Sequence, residues 1–166
     1  MPEGHTKELA RYGRWLLRSA GPLFTVAIGN AEGALLWPEE PGASPLDEAL
    51  TACLATTPDG AGMRKVAVAD SVAYAHPARL PDGSGNGWLI ARPSRDPAPS
   101  DLDALADAME DVAAAMNDAS RLNAEMDLLA TELAERYEEL HLVYDIDRHL
   151  ANQDLGNEVL QGLLQS

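Results

Sequence analysis

The pattern of apolar and polar residues changes character near residue 97: short segments broken by turns come before it, and a single long helical run comes after it. Over residues 8–19 the apolar Leu9, Tyr12 and Leu16 recur at helical spacing with Trp15 beside them. Gly21-Pro22 stops the pattern, which predicts a first helix. Residues 23–29 read as a buried strand, 30–33 (Asn-Ala-Glu-Gly) supply turn chemistry, and 34–37 read as the returning strand of a hairpin. Residues 38–45 are proline-rich loop. Ser44 and Pro45 then predict the N-cap and first position of a helix running to about Ala55. Further strands are predicted at 63–69, 71–80 and 88–91, with Pro77 favouring an edge or bulge and the glycine-rich 81–87 forming a turn. This order suits an α+β fold: a small antiparallel sheet of about five strands with helices largely on one face.

After Pro93, Pro97 and Pro99 no glycine or proline occurs until Gly156. Ser100 reads as an N-cap, with Asp101 and Asp103 in the first turn, where the helix dipole favours negative charge. Leu102, Leu105, Met109, Val112, Met116 and Ala119 then alternate at three and four residues, the spacing of a coiled-coil seam. Leu122 comes one residue early, and Met126, Leu129, Leu133, Tyr137, Leu140 and Tyr144 continue the row. The step 116–119–122 is a stammer and 129–133–137 a stutter, each a local change in supercoil winding. At 1.5 Å per residue, about 50 residues make a helix of roughly 75 Å, more than a domain of this size can cover. The seam therefore predicts a second chain, arranged as a parallel homodimer. The boundaries that follow are a domain over 1–97, a coiled-coil helix over 98–152, and the start of another domain over 153–166.

Charge narrows the partners. The formal net charge is −15, and residues 101–152 hold fourteen acids against only Arg121, Arg136 and Arg148. Nucleic acid and anionic membrane both need clustered cations, so neither is expected as a partner. Arg11, Arg14 and Arg18 nevertheless form a basic stripe on the first helix, opposite Leu9, Tyr12 and Leu16. That stripe is either an ordinary solvated face or a surface packed beside the start of the acidic helix. With one cysteine, Cys53, no internal disulfide forms, which fits a reducing cytoplasm. No basic-then-apolar leader and no membrane-length apolar run is visible.

Two stretches resemble known signalling modules. Residues 137–150, Tyr-Glu-Glu-Leu-His-Leu-Val-Tyr-Asp-Ile-Asp-Arg-His-Leu, are similar to the helix that precedes GAF domains in bacterial signalling proteins, and 151–164 are similar to the first helix of such a domain. Residues 24–33 resemble the opening hairpin of a compact GAF-like domain, and 74–83 with 87–91 its closing pair. The resemblance implies a GAF/PAS-like sensor, covering about residues 8–100, followed by a signalling helix and a C-terminal output domain. The segment between the second helix and the third strand is shorter than the ligand loops of that family.

Candidate chemistry is sparse. Cys53 has no His or basic neighbour in sequence to activate it and reads as a buried small residue on a helix. His141, Asp145 and His149 at i, i+4 and i+8 share a helix face and can be read as metal ligands or as a solvated polar face; the latter is preferred, so no metal is assigned. Phe24, Trp37, Tyr74 and His76 are the expected lining of a small-molecule pocket, if the domain binds a ligand. The glycines at 83, 85 and 87 lack the strand-to-helix setting and lysine of a phosphate cradle. No catalytic constellation stands out and no cofactor is implied. The expectation is a non-enzymatic regulatory module that dimerises and relays a signal through its helix. The alternative is a ligand-free scaffold for homodimerisation or for a regulatory protein partner.

Overall fold

The computed structural model describes residues 3–38, 62–68 and 71–164 of the chain. Helix α1 (Glu3–Ala20) leads into strands β1 (Phe24–Asn30) and β2 (Leu35–Trp37). Strands β3 (Arg64–Val68), β4 (Ser71–Arg79) and β5 (Asn86–Pro93) follow, and helix α2 (Pro99–Leu164) comes last. The helix expected over 45–55, its cap Ser44 and Cys53 lie outside the described residues.

The five strands form one antiparallel sheet in the order β2-β1-β5-β4-β3. A hairpin and a three-strand meander are thus joined through β1 and β5, which pair from Phe24↔Pro93 to Asn30↔Gly87. Local side chains set both tight turns. Asn30 Oδ1 accepts from the amides of Glu32 (3.1 Å) and Ala34 (2.8 Å) in the first, and Asp82 Oδ1 accepts from the amide (3.0 Å) and hydroxyl (2.6 Å) of Ser84 in the second. Pro77 needs a place where no ladder donor is missed. Pairing of β4 with β3 ends at Arg64↔Ala75, so Pro77 sits beyond it and pairs only with β5, opposite Trp88.

Alternation along the strands divides the apolar residues between two faces. Phe24, Val26, Ile28, Tyr74, Ala78, Leu89 and Ala91 belong to the larger cluster, which takes in Leu9, Tyr12 and Leu16 of α1 and Leu105, Met109, Val112 and Met116 of α2. Both helices therefore lie on one face of the sheet. Val68, Ala73, Ala75, Trp88 and Ile90 form a smaller buried cluster on the other.

α1 ends where Gly21 takes the left-handed conformation (φ 78°) common just past a helix terminus. Inside the same helix, Gly13 is set by packing: a Cβ there would collide with the six-membered ring of Trp37. The indole of β2 occupies the space that any side chain would need.

α2 begins earlier than the Ser100 cap anticipates. The carbonyl of Ala98 accepts from the amides of Asp101 and Leu102, and Asp101 Oδ2 accepts from the Ala98 amide at 3.0 Å. This reciprocal pair makes Ala98 the cap, Pro99 the first helical residue and Asp101 the acid that closes the box. A hydroxyl at residue 100 is then already inside the first turn. The helix continues unbroken to Leu164, through 152–153, where a boundary was expected. Residues Met1–Ala124 form one compact unit and Glu125–Ser166 a second, so the first turns of α2 are part of the α/β unit and the expected division at 97–98 does not separate compact bodies.

Candidate functional site

The twelve expected seam residues fall into two groups with different surroundings. Leu105, Met109, Val112 and Met116 are 0 % exposed and belong to the core cluster of their own chain, with Leu102 packed against its edge. They cannot meet a partner helix without leaving the sheet. This half of the seam is therefore a correction: three-four spacing marks an apolar helix face, and a sheet uses such a face as readily as a second helix does. Leu122, Met126, Leu129, Leu133, Tyr137, Leu140 and Tyr144 are 52–70 % exposed.

The stammer falls between the two groups. Asn123, on the sheet-facing row, donates from Nδ2 to the carbonyl of Pro81 at 2.7 Å, and Asn117 Oδ1 accepts from the Arg79 amide at 2.7 Å. These two bonds fasten α2 to the end of β4 and the β4–β5 turn. Sequence reading missed both residues, although a polar side chain at 123 in register with Leu105, Val112 and Met116 was a usable signal. It also missed that Leu128, Leu142, Val143 and Ile146, off the seam row, are exposed.

The four pocket residues come from the expected strands, and the structure places them in and around the helix-side core. Phe24 and Tyr74 are buried in the larger cluster, and Trp37 packs on its rim against α1. His76 is buried; it pairs with Leu89 across the strands, and its Nδ1 lies 2.8 Å from the Pro77 carbonyl, a bond that the Nδ1–H tautomer donates. On the opposite face, Trp88 is 6 % exposed and its Nε1–H is buried with no hydrogen-bond partner among the described residues. An unsatisfied indole donor costs stability and marks that face as the polar exception in an apolar cluster.

His141, Asp145 and His149 are all exposed, and His149 Nδ1 lies 2.9 Å from the backbone carbonyl of Asp145. Among the described residues no three His, Cys, Asp or Glu side chains are grouped to hold a metal ion. The arginines of α1 are exposed and make no ion pair with a described residue, so the stripe does not pack against α2 of its own chain. The reason is geometric: each helix lays its apolar row on the sheet, which turns both charged rows outward. Burial pushes the Tyr12 phenol above its ordinary range, with the nearby Glu8 adding to the effect. No helix among the described residues is long and apolar enough to cross a membrane.

No family model and no curated protein matches this chain. Among solved structures it is similar to a chain of the E. coli DhaR(N)-DhaL complex, with a TM-score of 0.46 and 16 % identity, over 78 % of this chain and 54 % of that one. The chain thus spans about half the length of that neighbour. The geometry defines a class: an α+β domain with a five-stranded antiparallel sheet and a long C-terminal helix.

Proposed function

We propose that this chain is the regulatory module of a cytoplasmic signal-transduction protein, a GAF-like domain that dimerises in parallel and relays conformational change to an output domain following the helix. One observation carries the reading: a single helix is core of the α/β unit up to Met116 and offers an unpartnered apolar row from Leu122 onward. Anything that shifts β4 or its turn acts on α2 through Asn117 and Asn123, and rotation of that helix turns the exposed row. Covering a half-exposed Leu or Met is worth about 1 kcal/mol, so the five on each chain, with Tyr137 and Tyr144, outweigh like-charge pairs at a few tenths each. The module has no catalytic role of its own in this reading. Sedimentation of the chain at micromolar concentration tests it: a dimer with parallel helices supports the relay, and a monomer removes it.

The scaffold reading has its own support, because Phe24, Tyr74 and His76 are buried on the helix-packed face of the sheet. A thermal-shift screen with nucleotides and small metabolites separates the two, since a ligand selective for the folded state raises the melting temperature.

A further inference from the structure

The acidic surplus of this chain hides a segregation of charge within the α/β unit. On α1, Arg11, Arg14 and Arg18 are exposed opposite the buried Leu9, Tyr12 and Leu16, and Trp15 beside them is 41 % exposed; together these four side chains line an open groove. On α2, Asp103, Asp107 and Asp111 recur at i, i+4 and i+8, all exposed and nearly opposite the sheet-facing Leu105, Met109 and Val112. These acids pair with no cation among the described residues. Both helices lie on the same face of the sheet. The outer surface of the helix layer therefore carries a basic row on one helix and an acidic row on the other.

We infer that this layer is a self-complementary docking surface for a second copy of the chain, with the Arg11–Arg14–Arg18 row of each copy set against the Asp103–Asp107–Asp111 row of the other. The inference rests on the dimer proposed above and adds the surface through which the α/β units meet. A twofold axis requires that residue i meet j and j meet i, and two rows of opposite sign on one face satisfy that condition twice. Their lengths agree: seven residues of helix span about 10.5 Å and eight span about 12 Å. Trp15 supplies a rigid aromatic anchor next to the guanidinium groups, the combination enriched at the centres of interfaces. An acidic surface partner of another kind would use the arginine row alone and leave the aspartates idle.

Charge reversal in the full chain tests the assignment, read by sedimentation equilibrium at low ionic strength. D103K/D107K/D111K brings the net charge closer to zero, so general repulsion falls and a dimer without the contact tightens. The contact predicts the opposite, a weakening of about tenfold, the scale of several surface ion pairs. R11E/R14E/R18E weakens the dimer as well, and an equimolar mixture of the two variants forms a heterodimer at least as tight as the parent dimer. Far-UV circular dichroism of each variant, with the helix content of the parent at the temperature of the sedimentation run, excludes unfolding as the cause. A parent dimer together with an aspartate variant that associates as tightly or more tightly, or a mixture that fails to recover, overturns the contact and leaves the seam reading standing. A parent that is monomeric overturns both.

Discussion

Asn123 donates its side-chain amide to the backbone carbonyl of Pro81 over 2.7 Å, one residue after Leu122, where the exposed apolar row begins. A fastening of α2 to the β4–β5 turn and the first residue of its exposed row are thus neighbours in sequence. Coupling between the β4–β5 turn and the distal helix depends on that adjacency in the relay proposed above.

Replacing Asn123 by Ala removes the donor and leaves the Pro81 carbonyl without it. The α/β unit should lose about 1 kcal/mol, the usual net worth of one such bond. Urea unfolding followed by tryptophan fluorescence measures this, and an unchanged midpoint would show that the bond does not fasten the helix.

Gly13→Ala reverses a familiar sign. In an open helix interior this change stabilises by about 1 kcal/mol. Here the new methyl runs into the Trp37 ring, in a well-packed contact between α1 and β2. Displacing the indole is expected to destabilise by about 1–3 kcal/mol, the cost of overpacking. A melting temperature above that of the parent would contradict the contact.

The two halves of the apolar row should answer differently to mutation. Met109→Ala empties a fully buried site and is expected to cost about 2–5 kcal/mol of folding stability. Leu133→Asp alters an exposed position, so the α/β unit should melt as before while the dimer dissociates. Parallel measurements of melting and of sedimentation separate the effects. If Leu133→Asp leaves the mass at that of the parent dimer, the distal row is not the seam.

Trp88→Phe keeps most of the buried aromatic area and removes a buried indole N–H that has no partner among the described residues. Stability should hold or rise slightly, because the desolvation penalty of the donor disappears. Trp88→Ala, in contrast, should cost about 3–5 kcal/mol. A marked loss with Phe would mean that the indole nitrogen has an acceptor in solution.

Much of the architecture was legible in the chain itself. Glycine and asparagine at the turns, alternation in the strands and the proline-to-helix transition after residue 97 are local signals, and local backbone preference and burial period determine them. The positions of the two sheet faces followed once the register was known. Which partner an apolar helix face meets is not local: Leu105 and Leu129 carry the same three-four spacing, and only the closure of β1 against β5 beneath α2 makes one a core residue and leaves the other exposed. The same holds for Gly13, whose requirement arises from an indole 24 positions away. The sequence by itself determined the strand and helix segments, the acidic surplus and the long unbroken helix. The tertiary structure decided how the apolar row is divided, because burial is a property of what the fold brings opposite a side chain and not of the spacing that presents it.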